Sequence, residues 1–304
     1  MHGNKKLLIT GSTGYIGRDL VNRFLKCSTI EIAIVVRDMK TAYILFDDEV
    51  KYIQHDSLEK FTEEITSFDP DIVIHLAGYS TSADSAEEVE KLIESNIVFT
   101  AQLLLALSKC SIKLFVSAGS FSEYHESRED ISPTYFYSAT KTSARYMIEY
   151  FSNRDGFTFV HAILYSVYGK KSHPKKIVDY VVEALTSTHS VAMSEGYQEL
   201  DFVHIDDVVS WYYHLVTNYD SLHISRIDYD VGTGISTSIR KLVEITEKLT
   251  GEEANIQWGV YKNRKLDTQR ACSNITHSVE ELGYKVEYTL ESGLEKYLKR
   301  IGIL

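Results

Sequence analysis

The segment KLLITGSTGYIG, residues 6–17, decides how the rest of the chain is arranged. Leu7, Leu8 and Ile9 form a short apolar run that stops at Thr10 and Gly11. From Tyr15 the apolar period becomes that of a helix, with Ile16, Leu20, Val21, Phe24 and Leu25 on one face. Strand, glycine turn and helix in this order predict a dinucleotide-binding turn. Gly11 permits the tight turn, Gly14 lets a pyrophosphate approach the backbone, and Gly17 lets the helix pack closely on the sheet. The freed N–H groups and the positive end of the helix dipole then face the phosphates. The candidate contacts are Gly11, Thr13, Gly14, Tyr15, Ile16 and Gly17, spaced G-x-x-G-x-x-G rather than G-x-G-x-x-G.

Outward from this turn, residues 31–36 (EIAIVV), 50–54, 72–76 (IVIHL), 114–116 and 157–164 read as strands, and 61–68, 87–109 and 136–153 as helices. Such alternation predicts an α/β fold with a right-handed, doubly wound parallel sheet. Beyond Gly169 the pattern loosens. Helices are expected over 177–186, 206–218, 238–250 and 290–298, with short extended pieces at 191–193, 202–203, 229–232 and 255–258. We therefore expect a dinucleotide-binding domain over 1–169, to which 201–232 returns, and a discontinuous substrate-binding lobe over 170–304.

A chain of 304 residues with 44% hydrophobic and 25% charged residues has the composition of a globular protein with a sizeable core. Its net charge of −11 argues against a general binder of nucleic acid or anionic membranes. Three cysteines without CxxC spacing fit reduced thiols, and neither a signal-peptide stretch nor a run of transmembrane length is present. A cytoplasmic location is the expectation. Eleven histidines include no HExxH and no Cys/His cluster; His204 with Asp206 and Asp207 reads as a helix start, with the aspartates as caps.

Two further positions carry chemistry. Arg37 follows the apolar run 31–36 directly, where an arginine accommodates the 2′-phosphate of NADP, so NADP(H) is favoured over NAD(H). The alternative is ribose binding by Asp38. In YSATK, residues 137–141, Tyr137 and Lys141 stand at i and i+4 on one helix face. A lysine cation beside a phenol favours phenolate and lowers its pKa, so the pair can exchange a proton with an alcohol or sugar oxygen.

With these residues in view the chain resembles the extended short-chain dehydrogenases/reductases, of the NAD-dependent epimerase/dehydratase family that acts on nucleotide sugars. GSTGYIG, HDSL (55–58), HLAG (75–78), Asn96, YSATK, SVYG (166–169), DFVHIDDV (201–208), YDVGTG (229–234) and LGYKVEYTLESGL (282–294) fall in family order. The resemblance implies that Asp56 and Leu58, with Ser57 between them, embrace the adenine, and that Ala77 and Gly78 line the cofactor. It places Ser120, four residues before Tyr124, on the reacting oxygen, with Ser117 and Ser122 as stand-ins. It puts the backbone around Ser166 and Val167 beside the nicotinamide and Asn96 on backbone groups. Arg264 would clamp the substrate diphosphate, with Lys175 and Lys176 as weaker candidates. Dehydratases of the family carry Asp-Glu where Phe121 and Ser122 stand, and epimerases an acidic residue where Arg37 stands. The short 120–137 connection and the VSAGSFSEY segment are most similar to reductases of the CDP-abequose synthase type. The resemblance thus implies an NAD(P)H-dependent reductase of a nucleotide-linked 4-keto-6-deoxy sugar, with an epimerase as the alternative and a cofactor-sensing protein as a third reading. A homodimer through the long helices 87–109 and 136–153 is expected.

Overall fold

The computed structural model describes residues 4–125, 130–262 and 264–304. Through the first half, strands and helices alternate as β1 (Lys5–Thr10), α1 (Gly17–Phe24), β2 (Ile30–Val36), α2 (Met39–Phe46), β3 (Lys51–Gln54), α3 (Leu58–Phe68) and β4 (Ile72–His75). There follow α4 (Ala86–Ile93), α5 (Phe99–Leu107), β5 (Leu114–Ser120), α6 (Phe136–Asp155), β6 (Thr158–Leu164) and β7 (Ser166–Tyr168). The remainder comprises α7 (Ile177–Thr186), β8 (Val191–Ala192), β9 (Glu199–His204), α8 (Ile205–Asn218), β10 (Asp228–Val231), β11 (Ser236–Ser238) and α9 (Ile239–Thr250). It ends with β12 (Ile256–Gln257), β13 (Arg270–Ala271), α10 (Thr276–Glu280) and α11 (Leu290–Arg300).

Seven strands form one parallel sheet in the order β10-β6-β5-β4-β1-β2-β3. Side chains alternate across each strand, so the apolar runs fill two cores at once. Leu7, Ile9, Ile32, Ile34, Ile72, Ile74, Leu114 and Val116 face the core that holds α1, α2 and α8. Leu8, Ala33, Val35, Val73, Phe115 and Phe159 face the other, under α3, α5 and α6. The strand order reverses between β1 and β4, and the crevice beyond their carboxyl ends is where such sheets take ligands. Smaller sheets stand over this edge: β9 pairs with β7, β11 and β13, and β12 with β8. The segment 201–232 is divided. β9 belongs to the small sheet, α8 packs on α1, and β10 joins the large sheet beside β6.

Several boundaries depart from the sequence expectation. The first helix begins at Gly17, because Tyr15 and Ile16 are still part of the turn. The 87–109 helix is not uniform: α4 and α5 are joined by a π segment, Glu94–Val98, which inserts an extra residue at Asn96. Helix α2 was not expected; Asp38 creates it as N-cap, accepting from Lys40 N, Thr41 N and Thr41 Oγ1. At α8 the cap is His204, whose Nδ1 accepts from Asp206 N–H, and not an aspartate. Asp206 instead pairs with Lys296, and Asp207 accepts from the N–H groups of Glu287 and Tyr288. Among the described residues no helix is long and apolar enough to cross a membrane, and no group of three or more His, Cys, Asp or Glu could hold a metal ion.

Candidate active site

The glycine turn is closed by a hydrogen bond from Gly14 N–H to Gly11 O, 3.0 Å. Gly11 has φ +70°, and a Cβ on it would lie 2.6 Å from Ala77 N. A Cβ on Gly17 would lie 2.1 Å from Gly11 O, so the third glycine lets the helix close on the turn itself rather than on the sheet. Gly14 differs: a Cβ there would meet only Gly11 O, at 3.1 Å, and otherwise open space. Ser12 Oγ is buried in this turn without a hydrogen-bond partner. An open glycine and an unsatisfied hydroxyl at a helix N-terminus fit a phosphate group, and a dinucleotide suits the turn. β4 is tied to the turn through Thr10, whose Oγ1 accepts from Ala77 N–H at 3.1 Å and lies 2.7 Å from His75 Nδ1.

The other proposed cofactor contacts lie around this crevice at the sheet's edge. Arg37 is exposed at the end of β2. Its neighbour Asp38, also exposed, serves as the α2 cap. Asp56 pairs with Lys60 at 3.0 Å, Ser57 caps α3, and Leu58 begins that helix with its side chain exposed. Val167 is buried on β7, and its carbonyl accepts from Lys176 Nζ at 3.3 Å.

Asn96 organises the second half of the site. Its Oδ1 accepts from Tyr79 N–H at 2.7 Å, while Nδ2 donates to Tyr79 O at 3.0 Å and to Thr140 Oγ1 at 2.9 Å. One amide, on the π segment, thus fixes the loop after Gly78 against α6. The same loop brings Ser80 near the Tyr137 phenol and Ser82 Oγ to 2.6 Å from Arg264 Nη2. Gly78 leaves room beside the lysine: a Cβ there would lie 3.8 Å from Lys141 Nζ.

Tyr137 and Lys141 share one face of α6, and Lys141 is 7% exposed. Burial, then the Glu123 charge, raises the Tyr137 phenol above its ordinary value, against the Ser80 hydroxyl. This corrects the expectation that Lys141 lowers it. Burial also lowers the Lys141 ammonium, with Glu123 acting the other way. The tyrosine rests as a neutral proton donor. Ser120 ends β5 and caps a short 3-10 turn, Phe121–Glu123. Its Oγ lies 2.8 Å from Ser122 Oγ, which in turn accepts from Ser138 Oγ at 2.7 Å. Ser117 is turned away, with Oγ 2.6 Å from His161 Nδ1. Phe121 stacks on Tyr165, ring centroids 5.7 Å apart.

Of the expected substrate contacts, Arg264 lies over the Tyr135 ring at 5.3 Å, and Tyr135 precedes α6. Lys175 is held on the outer face of α7 by Glu183 at 2.8 Å. The lysine that turns inward is Lys176, 4.1 Å from the centre of the Tyr15 ring, with burial lowering its pKa to about 8. Sequence reasoning passed over Ser12, Ser80, Glu123 and His161. Glu123 carried a readable signal, since Ser120-Phe121-Ser122-Glu123 has the S-x-x-E spacing of a capping box, and that box is formed.

A profile of the NAD dependent epimerase/dehydratase family matches residues 7–232. The chain belongs to that family. As an enzyme of it, the chain is 24% identical to the CDP-abequose synthase of Salmonella muenchen, over 97% of each chain. Its fold is similar to that of a UDP-glucuronic acid 4-epimerase mutant from Bacillus cereus, solved with UDP-4-deoxy-4-fluoro-glucuronic acid and NAD, at a TM-score of 0.86 and 20% identity, covering 97% and 99% of the two chains. A UDP-glucose 4-epimerase from Thermotoga maritima, solved with UDP-glucose, matches at a TM-score of 0.85 and 21% identity over 98% of each. The family is one of NAD(P)-dependent enzymes.

Proposed function

We propose that the enzyme reduces the C4 carbonyl of a nucleotide-linked 4-keto-6-deoxy sugar, with NADPH preferred over NADH. The observation that carries this reading is the docking of the α6 start, which bears Tyr137 and Lys141, on the Ser120 turn through the Ser138–Ser122–Ser120 hydroxyl chain: reduction of a carbonyl needs an acid and a second hydrogen-bond donor beside the oxygen. When bound, the reduced nicotinamide supplies the hydride. Tyr137 gives its proton to the C4 oxygen, and Ser120 Oγ holds that oxygen as charge develops on it. Lys141, beside Gly78, binds the nicotinamide ribose and favours the phenolate left after transfer. Phe121 and Ser122 offer no carboxyl group for removing water from the sugar, which speaks against dehydration. The residues beyond 170 outside α8, β10 and the stretch 275–286 form the substrate lobe, with Arg264 on the diphosphate. For the cofactor, the support is the exposed Arg37 at the end of β2, able to take a 2′-phosphate bidentately.

The test uses deuterium-labelled NADPH with CDP-4-keto-6-deoxyglucose. Label at C4 of the product, with NADPH consumed in equal amount, is the expected result. Inversion of a UDP sugar without net NADPH consumption would establish the epimerase reading instead. The enzyme is further proposed to be a homodimer, because Ile93, Leu105, Phe136, Tyr146 and Tyr150 leave apolar surface on the α4–α5 and α6 helices. Light scattering at micromolar concentration should return twice the chain mass of 34.7 kDa.

A further inference from the structure

The proposed reaction gives no role to a buried carboxylate beside the site. Glu123 is 1% exposed and follows Ser120 in the 3-10 turn. Its carboxylate accepts from Ser120 N–H at 2.8 Å, from Thr142 Oγ1 at 3.1 Å and from His161 Nε2 at 3.2 Å. The three donors belong to β5, α6 and β6, so one side chain joins the elements that carry Ser120 and the Tyr137–Lys141 pair. The imidazole is itself fixed. A carboxylate only accepts, so Nε2 carries a hydrogen, and Nδ1 on the other side of the ring lies 2.6 Å from Ser117 Oγ. Gly119 makes room for this contact, since a Cβ there would lie 2.4 Å from His161 Nε2.

We infer that Glu123 is a positioning residue of the enzyme, fixing Ser120 against α6 and supplying the negative charge opposite the Lys141 ammonium. This rests on the roles proposed above for Ser120, Tyr137 and Lys141. A lone buried carboxylate would take up a proton. Here burial pushes the pKa up, but His161, the Ser120 N–H and Lys141 together hold it below the ordinary glutamate value. The charge is therefore present at neutral pH. It acts on Lys141 and Tyr137 in one direction, raising both. The other groups around the pair do not replace it. His75 approaches Lys141 from β4, and burial lowers its pKa to about 3, so it is neutral. Arg145, one turn along α6, is already paired with Asp228 at 3.1 Å.

The test is the pH profile of turnover with CDP-4-keto-6-deoxyglucose and NADPH. Glu123→Gln keeps the size and removes the charge, so the alkaline limb should move down by about one pH unit and kcat should fall by about tenfold or more. Glu123→Asp keeps the charge on a shorter arm; the limb should stay in place while kcat falls, because Ser120 loses its anchor. NADPH affinity measured below the limb should be unchanged in both. A limb that stays put in Glu123→Gln overturns the inference, whatever happens to kcat. Should that variant not fold, Glu123→Asp decides, and a displaced limb or an undiminished kcat overturns it. Tyr137→Phe separates the two layers. If it keeps its turnover, the proposed reaction fails; if it loses turnover while the Glu123→Gln limb is unmoved, only the role of Glu123 fails.

Discussion

The glycine turn at residues 11–17 and the corner around Glu123 lie at the same edge of the sheet and are built by opposite means. The turn is backbone on backbone: Gly17 rests against the Gly11 carbonyl, and Gly11 against the chain at Leu76 and Ala77. The corner is side chain on side chain, drawn from β5, α6 and β6 and closed on one carboxylate. A backbone site tolerates almost no added atoms but depends on few distant residues. A side-chain site tolerates changes of shape but depends on charge and hydrogen-bond polarity across long stretches of sequence. The two therefore fail differently under substitution.

The sharpest contrast is expected at Tyr137. Tyr137→Phe removes the proton donor without emptying the site, so kcat should fall about 10²–10⁴-fold while NADPH affinity and melting temperature hold. Loss of cofactor binding in that variant would make the corner part of the cofactor cradle and erase the distinction. Within the turn, Gly17→Ala should cost about 3 kcal/mol or more, because the new Cβ meets backbone that cannot yield. Gly14→Ala should leave the melting temperature near wild type and weaken NADPH about tenfold, since its Cβ points where phosphate would lie. Equal melting temperatures for the two variants would contradict the division of labour among the glycines.

Cofactor choice is a side-chain feature inside the backbone-built region. Arg37→Ala should weaken NADPH by roughly 1.5–3 kcal/mol, one to two decades, and leave NADH alone. A wild type that prefers NADH, with no change on mutation, would remove the basis for NADPH. The smallest effect concerns His75, which touches both regions through Thr10 and Lys141. Burial first, then Lys141, lowers its folded pKa to about 3. The unfolded chain takes up that proton near pH ~6.5, so stability from this group is full above that value and is lost as pH falls toward 3, by about 1.4 kcal/mol per unit. Melting curves from pH 7 to 5 should be shallower for His75→Gln than for wild type; parallel curves would count against a neutral His75.

The large sheet was legible because its signals are local. Apolar runs, the stops at Thr10–Gly11 and Ala77–Gly78, and the period change at Tyr15 each occupy a few neighbouring residues. Helix α2 escaped because residues 37 and 38 were weighed only as cofactor contacts, while Asp38 also has the side chain of an N-cap. The pairing of Tyr137 with Lys141 was readable from i, i+4 spacing, but the sense of the phenol's shift was not. That shift is decided by burial and by Glu123, and neither follows from helix periodicity. His161 was hidden more deeply. It sits at an inward position of an otherwise apolar strand, and only the fold brings its ring to a carboxylate in another element.

β10 joins the large sheet only after the chain has run out through α7, β8 and β9. On a ribosome this order has a cost in time. When residue 169 emerges, six of the seven strands of that sheet are available, but the edge beside β6 is bare. Tyr124 and Arg145 meet Asp228 only when that residue arrives, at 2.9 and 3.1 Å. Until then β6 presents an open strand edge to any neighbouring nascent chain. A protein that looks divisible into a cofactor half and a substrate half is thus completed as one piece, and a fragment ending near Gly169 would be translated with its sheet unfinished.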